Sequence, residues 1–315
     1  MRTRLRTALL LCMLGGIAPL RGFAQEAMSD AWWTGPMLAN SAETLPPGHF
    51  LFEPYLYDVR RPHTDTFGSN SYILYGLMDR LSVGMIPVVS YNKVSNGPNS
   101  SSVNIGDWTL QAQYRLTEFQ QGSWIPTTAL LLQETLPTGK YDQLGSRPAN
   151  GMGSGTYTTT LWLNSQMYFW LPNGRILRTR FNVSRSFSRS ASVKGVSVYG
   201  TDEGFSGRVK PGNGFFADLA FEYSLTQRWV LAMDLTYSHS DNTRLAGVDM
   251  VDPNGVLYPQ DVHLNSGPST SFGVAPAIEY NWSPRIGVLL GTRVIFGGHN
   301  STGSVTPAVA INYVY

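Results

Sequence analysis

From about residue 49 to the last residue, apolar and polar side chains alternate with a period of two, and the extended stretches are joined by connections that are short and long in turn. This pattern constrains the chain more than any other feature. A two-residue period sends successive side chains to opposite faces, so it calls for strands that separate two environments. Strands are expected at roughly 50–57, 70–77, 81–92, 103–116, 124–136, 156–170, 175–187, 214–225, 228–240, 268–282, 285–297 and 303–315. The tight connections are Met78-Asp79-Arg80, residues 117–123, Pro172-Asn173-Gly174, Thr226-Gln227 and Ser283-Pro284. The others, at 58–69, 93–102, 137–155, 188–213, 241–267 and a short one at 298–302, are polar or glycine-rich. Twelve strands connected in this way predict an all-β fold: a transmembrane antiparallel up-and-down β-barrel with short periplasmic turns and longer external loops.

The parity of individual stretches assigns the two environments. Phe215, Ala217, Leu219, Phe221, Tyr223 and Leu225 share one face, while Asp218 and Glu222 lie on the other. Trp229, Leu231, Met233, Leu235 and Tyr237 oppose Ala232, Asp234, Thr236 and Ser238, and Phe272, Val274, Ile278, Tyr280 and Trp282 oppose Gly273, Ala275, Ala277, Glu279 and Asn281. A lone charge among apolar residues at this spacing fits a wall with lipid outside and a wet lumen inside. Composition agrees, since charged residues are 14% and aromatics 12% of the chain. A soluble β-sandwich of this length would need extra domains, and no linker is present.

The chain opens with Arg2, Arg4 and Arg6, then the apolar run Ala8 to Leu14, then small residues at Gly22 and Ala24. This reads as an export signal cleaved after Ala24, so the domain order is a signal peptide at 1–24, an N-terminal periplasmic segment at 25–48 and an outer-membrane barrel at 49–315. Cys12 is followed by Met13 and preceded by few apolar residues, which argues against lipidation. Without residues 1–24 the chain keeps 19 basic and 21 acidic residues and no cysteine. A near-neutral surface excludes nucleic acid as a partner, and disulfide or thiol chemistry is excluded too. Residues 25–48, with Trp32, Trp33 and several prolines, fall outside the strand pattern; they either lie across the periplasmic mouth or form a disordered leader.

In the last strand Val305, Pro307, Val309, Ile311, Tyr313 and Tyr315 share one parity, which resembles the C-terminal signal read by outer-membrane assembly machinery. Two further stretches carry a family resemblance. One is Thr34-Gly35-Pro36 followed by Thr44-Leu45-Pro46-Pro47-Gly48-His49-Phe50 and Glu53-Pro54-Tyr55; the other is Leu136-Pro137-Thr138-Gly139-Lys140-Tyr141-Asp142. The chain thereby resembles a bacterial outer-membrane transporter family named for the meta-pathway of phenol degradation. The resemblance implies a porin-like barrel over the mature chain and passage of aromatic or other hydrophobic compounds. It brings no catalytic or ligand residue with it.

Inward parity collects Glu53, Gln111, Gln113, Arg115, Arg178, Arg180, Asn182, Asp218, Glu222, Asp234, Glu279 and Arg293 as expected lumen-lining residues. They read either as an ion-pair network filling a narrow barrel or as a selectivity lining around a wet path. Pro54, Pro87, Pro126, Pro276 and Pro307 fall on the lipid-facing parity within the expected strands. Pro54 and Pro307 belong to the first and last strands, which must pair at closure. Proline donates no ladder hydrogen bond, so these two mark either a lateral seam for apolar solutes or a local curvature device.

A lipid-modifying enzyme would need serine and histidine on one face, whereas His239 and Ser240 are adjacent and point apart; His49, His63, His263 and His299 supply no partner. Asp241, Asp249, Asp252 and Asp261 match no calcium loop, and Gly151-Met152-Gly153-Ser154-Gly155 lacks the lysine of a phosphate loop, so no metal and no cofactor is assigned. The sequence therefore predicts a bacterial outer-membrane protein in contact with membrane lipid and lipopolysaccharide, passing small hydrophobic or aromatic solutes without catalysis. The alternative is a sealed structural or adhesion barrel acting through its extracellular loops.

Overall fold

The computed structural model describes residues 30–251 and 258–315. The expected signal peptide lies outside them, as does Asp252 of the acidic set. Twelve antiparallel strands close into a barrel: β1 (Phe50–Arg60), β2 (Thr64–Met78), β3 (Leu81–Ile86 and Val88–Val94), β4 (Trp108–Thr117), β5 (Thr127–Leu136) and β6 (Thr158–Trp170) are followed by β7 (Ile176–Ser188), β8 (Gly214–Ser224), β9 (Trp229–Ser240), β10 (Ser269–Ser283), β11 (Ile286–Gly297) and β12 (Ser304–Val314). Each strand pairs with its sequence neighbours, and β1 pairs with β12 to close the ring. Among the described residues there is no α-helix, only a short 3-10 turn at Pro148–Asn150.

The alternation is realised as two chemically distinct faces. Leu56, Phe67, Leu130, Leu161, Phe181, Leu231, Leu290 and Ile311 are exposed on the outside, while Asp218, Glu222, Asp234 and Glu279 are at most 1% exposed on the inside. An apolar exterior around a charged interior is stable only where lipid covers the outside. Trp170, Trp229, Trp282, Tyr313 and Tyr315 gather on the outer surface at the end with the short turns, forming the aromatic girdle of one interface.

Three local expectations are corrected. The stretch 58–69 is not a long loop, because β1 and β2 extend until only residues 61–63 remain between them, with Arg60 opposite Asp65. Above the lipid band a polar outward residue carries no cost, so the hydrophobic alternation ends before the ladder does. For the same reason the connections at 188–213 and 241–267 hide strands. Ala191–Lys194, Ser206–Lys210, Arg244–Val251 and Tyr258–Asn265 form a second antiparallel sheet that continues β7 to β10 beyond the barrel. Finally, Pro126 is not inside a strand: it precedes β5, and its carbonyl accepts from the Thr117 hydroxyl at 2.6 Å.

The other four prolines do sit within the wall. Pro87 divides β3 into its two segments. At Pro54 the ladder to β2 is intact, with Ser71 opposite, but on the β12 side pairing skips from Phe52↔Tyr313 to Tyr55↔Ala310. Pro307 keeps Thr292 of β11 opposite and likewise drops out of the β1 ladder. The register resumes unshifted after each gap, as it does where β11 passes Pro276. Each missing N–H therefore faces its gap, and both gaps at closure fall on one seam.

Candidate functional site

Residues 30–48 do not lie across the mouth. They enter the barrel at the short-turn end, descend to about half depth and return to start β1. The Trp32 N–H donates to the Gln227 carbonyl in the β8–β9 turn at 2.8 Å, which fixes the point of entry. Deeper in, the N–H groups of Thr34 and Gly35 donate to Glu279 at 2.7 and 3.2 Å. At the deepest point Met37, Leu38 and Ala39 present three successive N–H groups to Asp234, at 3.0, 3.3 and 3.1 Å. On the way out Gln113 donates to the carbonyls of Ser41 and Glu43 at 3.0 and 2.8 Å, and the Leu45 N–H donates to the Ser82 hydroxyl at 2.8 Å.

Irregular backbone inside a barrel must find partners for every polar group it buries. A segment with only Asp30 and Glu43 as charges meets that need by borrowing the wall's carboxylates and amides. Hydrogen bonds from backbone N–H groups to carboxylates are among the stronger ones, worth about 1.5–3 kcal/mol each. Room is made by glycines on the inward face. A Cβ on Gly291 would meet the Met37 sulfur, and one on Gly76 would meet the Pro46 carbonyl. Gly35 adopts φ of 130°, a conformation that favours glycine, and turns the chain beside the Arg180 guanidinium.

The predicted lumen residues all point inward, but the structure divides them by role. Arg178 forks onto Glu222, with Nε 2.6 Å from Oε2 and a second contact between Nη2 and Oε1. Arg180 also approaches Glu222, at 3.3 Å, and donates to the Ala39 carbonyl at 2.7 Å. The Arg178 guanidinium covers the Trp33 ring at 4.6 Å, which clamps the entry of the segment. Asn182 links Asn164 to the Asn40 carbonyl at 2.6 and 3.2 Å, and Asn164 donates to Gln113 at 3.0 Å. Asp218 is buried on the inner face, where both of its carboxylate oxygens lack a hydrogen-bond partner among the described residues, as does Arg293 Nε. Gln111 accepts from Gln133, which in turn accepts from the Trp162 indole at 2.8 Å. Glu53 lines the space beside the segment. Arg115 stands apart at the rim, paired with Glu118 at 3.2 Å.

Two spaces remain. One, of about 310 Å³, lies between the segment and the wall of β1, β2, β4 and β12, against Glu53, Tyr55, Tyr72 and Gln111. The other, of about 460 Å³, lies towards the loop end and is lined by Trp162, Phe216, Gln133, Ser184, Ser238 and Arg293. Trp162 and Phe216 meet edge to face at 5.8 Å there. Leu38, at the bend of the segment, borders both spaces. His239 is engaged by Asp241 at 3.2 Å, and the Ser240 hydroxyl donates to the Asp241 carbonyl, so the two side chains make no mutual contact of the acid–base kind.

A closed twelve-stranded barrel with an apolar exterior, short turns at one end and a polar interior is a protein of the bacterial outer membrane. The family model described as "Putative MetA-pathway of phenol degradation" matches residues 35–306, and the chain belongs to that family. Among solved structures, an outer-membrane channel from Pseudomonas putida F1 is similar over 87% of this chain and 98% of its own, at 13% identity and a TM-score of 0.62. The translocator domain of the autotransporter NalP from Neisseria meningitidis matches over 84% and 87%, at 13% identity and a TM-score of 0.45. No curated protein sequence matches the chain.

The internal segment is what sequence reasoning missed. Its signal was present in two forms: a run poor in charge but rich in small residues and proline, and glycines at inward positions of β2 and β11.

Proposed function

We propose that the barrel passes small apolar or aromatic molecules across the outer membrane by diffusion, without catalysis or energy coupling. The observation that carries this reading is the space at the loop end. A volume of about 460 Å³ backed by the Trp162 and Phe216 rings, with hydroxyls of Ser184 and Ser238 beside them, suits a ring bearing one polar group. A dry apolar cavity of about 150 Å³ is already enough for benzene. The family's association with phenol degradation supports the same solute class. Below that space the segment and the paired charges obstruct a wide aqueous pore, which disfavours bulk passage of hydrophilic solutes.

A second reading concerns the exit. The β1–β12 seam keeps six paired positions where β1 and β2 keep eleven, and both interruptions coincide with a proline. The lower space is bounded by Leu51, Glu53 and Tyr55 of β1 and by Asn312 and Val314 of β12. These features favour lateral release of an apolar solute between β1 and β12.

Planar-bilayer conductance together with uptake of phenols and alkylbenzenes by a deletion strain tests the function. Saturable uptake that is restored by the wild-type chain and weakened by Trp162→Ala is the expected result. No conductance and unchanged uptake across a broad panel would favour a sealed structural or adhesion barrel. Alanine at Pro54 and Pro307 tests the exit: unchanged uptake in the folded double variant makes these prolines curvature devices.

A further inference from the structure

The sheet that extends β7 to β10 beyond the barrel has one covered and one bare face. Val193, Phe205, Val209 and Leu245 are buried on the first, packed with Tyr141 and Tyr199. The Tyr199 hydroxyl donates to the Ser154 carbonyl, and Ser154 is held by Asp107, just before β4 on the far wall. The covered face therefore looks over the mouth, and the bare face looks away from the barrel axis.

Register fixes what the bare face carries. Lys210 lies directly opposite Arg244, Arg208 is two residues before Lys210 on the same strand, and Lys194 lies opposite Ser206. All four are exposed. Like charges directly opposite each other in a sheet are unfavourable. Among the described residues no carboxylate lies within ion-pair distance of Arg208, Lys210 or Arg244. The acid on that face, Asp261, is opposite Val248, towards the far end of the sheet. Below the cations, on the same outward side, lie the lipid-facing Phe181, Leu219, Leu231, Leu235 and Phe272. The height at which a cationic face stands above an apolar wall is the height of the outer leaflet's headgroups.

We propose that Arg208, Lys210 and Arg244 form a binding site for the phosphate groups of the outer leaflet's lipopolysaccharide. An arginine fork engages phosphate oxygens bidentately, and the anion relieves the repulsion between Lys210 and Arg244. Lys210 is also anchored, since its ammonium donates to the Ser188 carbonyl at the end of β7. The site thus joins the extracellular sheet to the lipid beside the β7–β10 wall. The inference rests on the outer-membrane location and is independent of what passes through the lumen.

The test measures binding of purified lipid A bearing two, one or no phosphates to the protein extracted from outer membranes in a neutral detergent. The expected result is an affinity that falls with each phosphate removed and with added salt. Arg208→Gln with Arg244→Gln weakens binding of the bisphosphorylated form about tenfold, scaling with roughly a factor of a few per surface cation. Arg208→Lys with Arg244→Lys keeps most of it, and heat-modifiable mobility reports folding of both variants. Equal affinity for all three lipids overturns the proposal without reliance on any variant. So does full competition by millimolar inorganic phosphate, which would mark a small-anion site, or unchanged binding in the folded glutamine variant.

Discussion

The two halves of the lumen are walled by the same strands and yet satisfy their polar groups differently. In the periplasmic half, inward carboxylates and amides are engaged with one another and with the backbone of residues 34–45. In the extracellular half, the inward residues are mostly serine, threonine and glutamine around two rings, with Arg293 as the cation bordering the space left between them. A buried charge needs a partner, so charge concentrates where the chain supplies one; neutral hydroxyls tolerate a changing occupant. The difference separates a half that holds shape from a half suited to a guest.

The comparison breaks first at the ion pair. Glu222→Ala leaves Arg178 and Arg180 buried without their carboxylate and should cost about 3–5 kcal/mol, read as a large fall in the temperature of the heat-modifiable gel shift. Stability unchanged in this variant would mean water reaches the pair. Next, Asp234→Ala removes the acceptor for three N–H groups and should cost about 2–3 kcal/mol. Hydrogen exchange at residues 34–41 should speed up while exchange in β7 and β8 does not, and uniform loosening would show that the segment and wall are one unit. Gly291→Ala drives a methyl against Met37 and should cost about 1–2 kcal/mol, with the same local exchange signature at lower amplitude.

The smallest effect lies outside the membrane. Burial, with Asp107 nearby, pushes the Tyr199 phenol up to about 12 from its usual 10. A raised value means the neutral form is favoured in the fold, so its contribution is full below pH 10 and disappears as pH rises through 12. Loop packing over the mouth should loosen in that window, and Tyr199→Phe should abolish the tyrosinate absorbance step attributed to it.

The barrel was legible because lipid and lumen impose opposite demands on alternate residues, and β8, β9 and β10 show that alternation over most of their length. The extracellular sheet was not, since at Arg244–Val251 neither face meets lipid and apolar residues fall on both faces. Inward residues such as Asp234 and Glu279 were identifiable by parity, but their partners were not. Those partners are backbone N–H groups about 195 to 245 positions away in sequence, and backbone leaves no mark in side-chain periodicity.

Single-channel conductance of the wild type against a variant lacking residues 31–44 tests the central claim, that the chain's own segment fills the periplasmic half of the lumen. A small conductance in the wild type and one several-fold larger in the folded variant is the predicted result; equal conductance in the two would contradict it.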